Sequence, residues 1–368
     1  MLLELLPNST FGIAHIDWIC NNKIEMNLKE IGEFGFIERF RPMFDDIVCE
    51  SALGIGDDCA VIAVNSETDW LVTTDMLVED VHFLRNDISP YELGYKSAAV
   101  NISDVAAMGG KPFYSFLSVA IPDDCSVEYL DEFMRGYHAI CKKHNVALLG
   151  GDTTKSTKHL TINVGVIGSI AHGKAKLRSS ARVGDLICST GFLGDSAGGL
   201  QLILVGKRDA SRPEKKYLLE RHCVPEARVD EGMFLANFSG VHAMMDISDG
   251  IASDLRHILE QTKNIDAEVD LETVPMSSQL VAVAQEEGWN AVELATSGGE
   301  DYELLFTVAE SDFAEINREY QQKFNMPLYC IGKIAEKQDA NSSIGSIRWR
   351  ENGKEVTFMK DGFNHFAS

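Results

Sequence analysis

The feature that most constrains this chain is the run LGIGDDCAV at residues 53–61. Gly54 and Gly56 permit backbone angles that other residues avoid, and Asp57 and Asp58 set two carboxylates side by side at the turn. Adjacent carboxylates repel unless a cation or strong donors lie between them. One reading is a Mg2+ site that handles phosphate, because Mg2+ takes a few carboxylates and leaves its other positions to substrate oxygens. The other is a solvated Gly-Asp turn. On this run alone the turn suffices. The metal reading gains because the same chemistry recurs downstream.

Residues 1–25 have no clear period, so 1–26 read as an N-terminal extension, and Met26 offers an alternative start. From Asn27, Leu28, Ile31, Phe34 and Ile37 recur at helical steps. Strands are expected at 59–64 and at 70–75, the second ending on Asp75. The helix at 89–108 is the best signposted: Ser89 caps, Pro90 suits the first position, Glu92 completes a capping box, and Gly109 and Gly110 stop it. On it Ser97, Asn101 and Asp104 share one face, while Ala98, Ile102 and Val105 supply an apolar face. With few charged residues around it, that polar stripe is expected to be buried or ligand-facing.

A strand at 113–121 and an amphipathic helix carrying Leu130, Phe133, Met134, Tyr137 and Cys141 follow. A short strand at 147–149 then runs into a second Gly-Asp turn, 150–154, and another strand covers 160–170. The basic, glycine-bearing run 171–184 reads as a linker and contains Arg178. Beyond it come a strand at 185–189, a helix from Asp195, a charged surface segment at 212–228, a short strand at 243–245 before DISDG, a helix at 251–260, and strands at 302–308, 329–334 and 347–358. The expected fold is two-domain α/β (α+β), divided as 27–172 and 173–368.

Four stretches share one grammar, an apolar strand followed by Gly, Ser or Thr with Asp: GIGDD, TTD, GGDTT and DISDG. With Asp104 they offer Asp57, Asp58, Asp75, Asp104, Asp152, Asp246 and Asp249. Convergence of these groups without cations would cost several kcal/mol or force protonation, so convergence implies several Mg2+ ions bridging to phosphate oxygens. Divergence would leave ordinary surface turns, and residue types alone leave both arrangements open. Composition bears on the choice. Lys+Arg 33 against Asp+Glu 56 gives a net charge of −23, which repels nucleic acid and anionic membranes and leaves a polyanionic substrate to be held through metal.

Other classes recede. GxxxxGK[ST] is absent, Cys59 stands where a dinucleotide fingerprint needs its third glycine, and the protein-kinase loops are missing. The eight cysteines form no CxxC pair and read as small buried residues of a reducing compartment. No apolar run approaches spanning length, and the start lacks the basic and apolar regions of a signal peptide, so a cytoplasmic location is expected.

The runs GIGDDCAV, TTDMLVEDVHF, NISDVAAMGG, GGDTT, STGFLGDSAGGL, DISDGIASDL and SGGEDYELLFT stand in the order and spacing of the thiamine-monophosphate kinases. From about Leu53 to its C-terminus the chain resembles that family and, more broadly, the aminoimidazole-ribotide synthetase superfamily. The resemblance implies two α/β domains, with N-terminal sheets pairing between two copies into a barrel, and hence a homodimer. It implies ATP-dependent phosphorylation of thiamine monophosphate, with several Mg2+ ions as cofactors.

Carried over residue by residue, Asp58, Thr73, Thr74, Asp75, Asp104, Asp152 and Asp246 would bind Mg2+, with Asp249 near a further ion. Gly151, Asp152, Arg178 and Ser248 would contact ATP. His82 and Glu300 would contact thiamine phosphate, and Phe363 would stack near its ring. Asp75, Asp152, Arg178 and Asp246 would carry the catalytic roles. A nucleotide-contacting tyrosine of relatives falls on Met134 here. The acceptor is a phosphate oxygen, already anionic near neutral pH, so no general base is required; alignment and charge neutralisation would suffice.

Bland readings stand beside these. His82 alone would be a partly buried structural histidine, Glu300 a turn carboxylate, Asp57 a supporting rather than a direct ligand, and Phe363 core packing. Two alternatives of other kinds are another ATP-using enzyme of the superfamily and a non-catalytic nucleotide-binding protein. A selenophosphate synthetase would carry its reactive residue in a glycine-rich segment that Cys20 lacks, and a non-catalytic protein is disfavoured because every acidic position is filled.

Overall fold

The computed structural model describes residues 28–44, 47–339, 342 and 344–357. The described residues fall into two units, one of 28–44 and 47 and a second that begins at Val48. The described part of the first holds the helix Leu28–Phe40, non-helical at Gly32, and a 3-10 turn at Arg41–Met43.

The second unit contains two sheets. Strands β1 (Ala52–Leu53), β2 (Ala60–Ala63), β3 (Thr68–Val78), β4 (Lys111–Ile121), β5 (Ala147–Lys155) and β6 (Thr161–Ala171) form a six-stranded sheet in the order β1-β2-β3-β6-β4-β5. Its pairings are antiparallel except β4 with β5. Alternation sets its two faces. Leu71, Leu77, Leu117, Ile162, Val164 and Val166 are buried and form one core with the helices Pro90–Ala107 and Val127–His144. The opposite face is apolar and open, with Trp70 39%, Phe116 42% and Met76 54% exposed. Among the described residues neither sheet closes on itself.

Strands β7 (Leu186–Ser189), β8 (Val241–Asp246), β9 (Ile265–Asp270), β10 (Leu304–Val308), β11 (Tyr329–Glu336), β12 (Ile347–Glu351) and β13 (Lys354–Val356) form a mixed seven-stranded sheet in the order β13-β12-β9-β11-β7-β10-β8. Among the described residues no helix is long and apolar enough to cross a membrane.

The capping box at Ser89 is present, with Glu92 N–H donating to Ser89 Oγ and Ser89 N–H to Glu92 Oε2. Other expectations are corrected. Strand β3 continues past Asp75 to Val78, because β6 pairs with it along its whole length. The GGDTT run is the body of β5 rather than a turn. Gly151 in it serves close approach: a Cβ there would stand 1.7 Å from the Leu117 carbonyl oxygen. The run 171–184 joins β6 of the first sheet to β7 of the second and carries a 3-10 turn at Arg178–Ser180. The supposed surface segment contains the helix Pro213–Cys223, which buries Leu218, His222 and Cys223. The last expected strand is a hairpin, β12 to β13, turning at Asn352 (φ 51°) and Gly353 (φ 71°); an Asn-Gly turn of this kind tolerates two left-handed residues in succession.

Two glycines set how closely the helices over the first sheet approach. A Cβ on Gly94 would lie 1.9 Å from Phe133 O, and one on Gly136 would lie 1.8 Å from Tyr91 O. The two backbones therefore touch, and a methyl group there forces them apart. Gly136→Ala is expected to destabilise the protein by about 1–3 kcal/mol, read as a lowered urea midpoint at unchanged slope; an unshifted midpoint would contradict the contact.

Candidate functional site

Four elements bring the acidic motifs together. Asp58 comes from the turn before β2, Asp75 from β3, Asp104 from the helix Pro90–Ala107, and Asp246 from the end of β8. One carboxylate oxygen each from Asp58, Asp104 and Asp246 lies within 4.8 Å of the others. Asp75 stands near enough to repel both Asp104 and Asp246, and its N–H donates to Asn101 Oδ1 at 2.9 Å. Hydroxyls steady two of the acids: Thr73 Oγ1 donates to Asp104 and Ser103 Oγ to Asp246, each at 2.5 Å. Along the polar stripe of the helix Ser97 and Asn101 are fully inaccessible and Asp104 is half-buried.

Arg178 faces the same group. Its Nη2 donates to Asp58 Oδ1, its backbone N–H donates to Asp57 Oδ2 at 3.1 Å, and its carbonyl accepts from Thr262 Oγ1 at 3.2 Å. Gln261 holds the turn by donating to the Gly56 carbonyl. Asp57 therefore supports the turn, accepting also from Asp58 N–H.

The electrostatics call for a cation. Burial, then Asp75, Asp246 and Asp58, push the Asp104 carboxyl well above its usual range. Burial and Asp58 raise Asp246 to about 8, against the lowering pull of Ser103 and Arg178. Burial and Asp58 raise Asp57 to about 7. Asp58 Oδ2 is buried without a hydrogen-bond partner. Three converging carboxylates, one with an unused buried oxygen, are a hard-oxygen donor set that fits Mg2+.

A second cluster lies around Glu300. The loops DISDG and SGGEDY are zipped together, with Glu300 N–H donating to Ser248 O at 2.8 Å and Tyr302 N–H to Ile247 O at 2.9 Å. Glu300 (φ 65°) and Tyr302 (φ 52°) both occupy the left-handed region, a strain of order 1–3 kcal/mol each that surrounding structure must over-determine. Asp301 between them accepts from Gly194 N–H and Ser196 N–H at the start of the helix Asp195–Leu204. The Lys96 ammonium lies 2.9 Å from Glu300 Oε1, and His222 Nδ1 lies 3.4 Å from Oε2. Burial would raise the Glu300 carboxyl, but Lys96 above all, then His222 and His82, hold it below the glutamate range. His82 is thereby close to Glu300, and its Nδ1 accepts from Val78 N–H. Asp249 meets Asp254 and His257 in a separate group.

Other expected residues lie apart. Gly151 and Asp152 line a groove of about 690 Å³ with Met134, Leu117 and Leu149. In the order β3-β6-β4-β5 they are three strand spacings from Asp75, about 14 Å along the sheet. The Thr74 side chain points to the opposite face from Thr73 and Asp75, with its hydroxyl donating to Val164 O and accepting from Asn163. Phe363 lies outside the described residues. Sequence reasoning missed Lys96, His222, Ser103 and Asp254. Asn101, by contrast, stands where the polar stripe with Asp104 placed it.

His222 carries a pH consequence. Burial, then Lys96, depress its imidazole to about 4, so the folded state keeps it neutral while the unfolded chain binds a proton below about 6.5. A depressed base contributes stability above its unfolded value that is lost as pH falls toward 4. Between pH 7 and 4.5 this group accounts for a loss on the order of 2 kcal/mol. His222→Gln is expected to flatten that part of the pH–stability curve, measured by urea unfolding at both pH values; an unchanged slope refutes a neutral buried His222.

Residues 56–170 match the AIR synthase related protein, N-terminal domain, and 182–344 match the AIR synthase related protein, C-terminal domain. The chain is 39% identical over 340 residues to the thiamine-monophosphate kinase of Haemophilus influenzae, covering 91% of this chain and 98% of that protein. It is 35% identical over 337 residues to that of Escherichia coli K12, covering 92% and 99%. Its structure is similar to that of AaThiL complexed with AMPPCP and TMP, with a TM-score of 0.79 at 32% identity, covering 93% of this chain and 100% of that one. Escherichia coli HypE, a hydrogenase maturation protein 18% identical over 78% of this chain and 84% of its own, shares the fold at a TM-score of 0.61. Two matched domains in order and relatives of this identity over nearly their full length establish that the chain belongs to the thiamine-monophosphate kinase family.

Proposed function

We propose that this enzyme transfers the γ-phosphoryl group of ATP to the phosphate of thiamine monophosphate, giving thiamine diphosphate and ADP. The observation that carries the reading is the convergence of Asp58, Asp104 and Asp246, with Asp75 beside them, close to the loop that carries Glu300. Similarity to a protein solved with AMPPCP and TMP supports it. The acceptor oxygen is already anionic, so what the chain supplies is alignment and neutralisation. Arg178, charged and held by Asp57 and Asp58, faces the phosphates with a fork that a lysine lacks.

Asp58, Asp104 and Asp246 would hold Mg2+, with Asp75 completing the group and Asp249 serving a further ion. Mg2+, when bound, neutralises phosphate charge and orients its oxygens. We assign the base and ribose of ATP to the groove of Met134, Gly151 and Asp152, with Ser248 nearer the transferred group. In that arrangement Asp152 meets the nucleotide from the groove rather than joining the Asp58 group. Thr73 serves through its bond to Asp104, and any part played by Thr74 falls to its backbone. His82 and Glu300 face the thiamine moiety, with Phe363 as its stacking partner. The free thiols among the described cysteines and the acidic surface suit a cytoplasmic enzyme.

We further propose that two copies pair through the first sheet. Its open face presents Trp70, Met76, Tyr114 and Phe116, more contiguous apolar surface than a monomer ordinarily leaves in water, and pairing also covers the exposed edge strand β5. The expected species in size-exclusion chromatography with light scattering at micromolar concentration is a dimer. A clean monomer near 40.6 kDa refutes it.

The activity is tested by ADP release with Mg2+, ATP and thiamine monophosphate, and its absence with thiamine monophosphate omitted. Asp75→Asn is expected to lower turnover at least a hundredfold, roughly the loss of one preorganised electrostatic group. Its melting temperature should hold or rise, because one repelling charge is removed. Near-normal turnover at saturating Mg2+ overturns the role of Asp75.

A further inference from the structure

Lys96 stands in mid-helix with its side chain 1% exposed, a place where an ammonium is costly unless fully compensated. Its compensation is one group. Nζ lies 2.9 Å from Glu300 Oε1 and 3.0 Å from Oε2, and among the described residues Glu300 is its hydrogen-bond partner. We propose that Lys96 is a positioning residue of the substrate site, pinning the Glu300 carboxylate by both oxygens in the orientation from which it meets the thiamine moiety; this rests on Glu300 contacting that substrate.

The asymmetry of the pair separates this role from a structural ion pair. Lys96 reaches Glu300 from the interior, whereas the Glu300 side chain stays 27% exposed. The carboxylate is gripped from behind and open in front. His222, itself held by Ser196 Oγ at 3.0 Å, closes one side at 3.4 Å from Oε2. The backbone is fixed as firmly: Glu300 N–H is bonded to Ser248 O, φ is 65°, and Asp301 anchors the next residue to a helix start. Strained backbone and a doubly held side chain leave Glu300 essentially one placement. A salt bridge serving stability alone needs neither the strain nor the open front. The ligand chemistry follows. A carboxylate whose charge is already balanced by Lys96 acts as an oriented hydrogen-bond acceptor for an amino-substituted heteroaromatic ring, rather than as a bare counter-ion to a cation.

The test is steady-state kinetics of Lys96→Met with each substrate varied in turn. The Michaelis constant for thiamine monophosphate is expected to rise tenfold or more and that for ATP to stay within twofold. Methylammonium, which fits the space of the missing side-chain terminus, should recover part of the loss in Lys96→Ala. The charge-neutral pair Lys96→Met/Glu300→Gln leaves no uncompensated buried charge, so it is measured alongside in case the single variant folds poorly. It should melt close to the unaltered protein yet keep the raised constant for thiamine monophosphate. In either variant, a constant within twofold of the unaltered protein, or an equal rise for both substrates, overturns the proposal. Turnover of the unaltered protein in the same assay tests the functional reading by itself, so failure of that reading is distinguishable from failure of the role given to Lys96.

Discussion

Carboxylates held within 4.8 Å of one another in a protein interior repel, and every element near the cleft is arranged to tolerate that repulsion. Asp104 is braced by Thr73, Asp246 by Ser103, and Asp58 by Arg178. The braces come from β3, the helix Pro90–Ala107 and the turn Arg178–Ser180, so the charges can converge only if the chain's two sheets are docked in register. A site that is uncomfortable by itself gains more from a divalent ion than a relaxed one would, and the ion's open positions then select phosphate.

Opposite electrostatics rule the neighbouring cluster. Around Glu300 the charges are balanced, Lys96 against one carboxylate, with His222 kept neutral by burial. A third pairing lies deeper, where Arg221 and Arg228 both reach Glu303, and Thr190 donates to it. This network fixes the root of the strand that follows the SGGEDY loop. The two clusters thus differ in kind, one of mutually repelling carboxylates and one whose carboxylate is balanced by an ammonium.

Much of this was legible in the sequence. The capping box at Ser89 predicted a helix start, and the Gly-Asp grammar named Asp58, Asp75 and Asp246, which meet, together with Asp152 and Asp249, which lie apart. The parity of β3 separates Thr73 and Asp75 from Thr74, but which face is the inner one depends on a helix that packs later in the chain. Lys96 gave no signal. It sits among ordinary helix formers, and its burial is decided by Glu300, 204 residues away. The GGDTT run misled because glycine beside aspartate marks turns by propensity, whereas here glycine answers a steric demand from the Leu117 carbonyl.

That separation of 204 residues bears on how the protein is made. Chains emerge N-terminus first and fold by domains, so the helix Pro90–Ala107 is synthesised well before its charge partner. Until the SGGEDY loop arrives, Lys96 has no anion and must remain hydrated, which keeps that side of the helix from burying. The nascent first half therefore stays open along the very surface that later forms the cleft. Closure of that surface, and with it competence to bind, becomes a late event of biosynthesis that reports on completion of the second sheet.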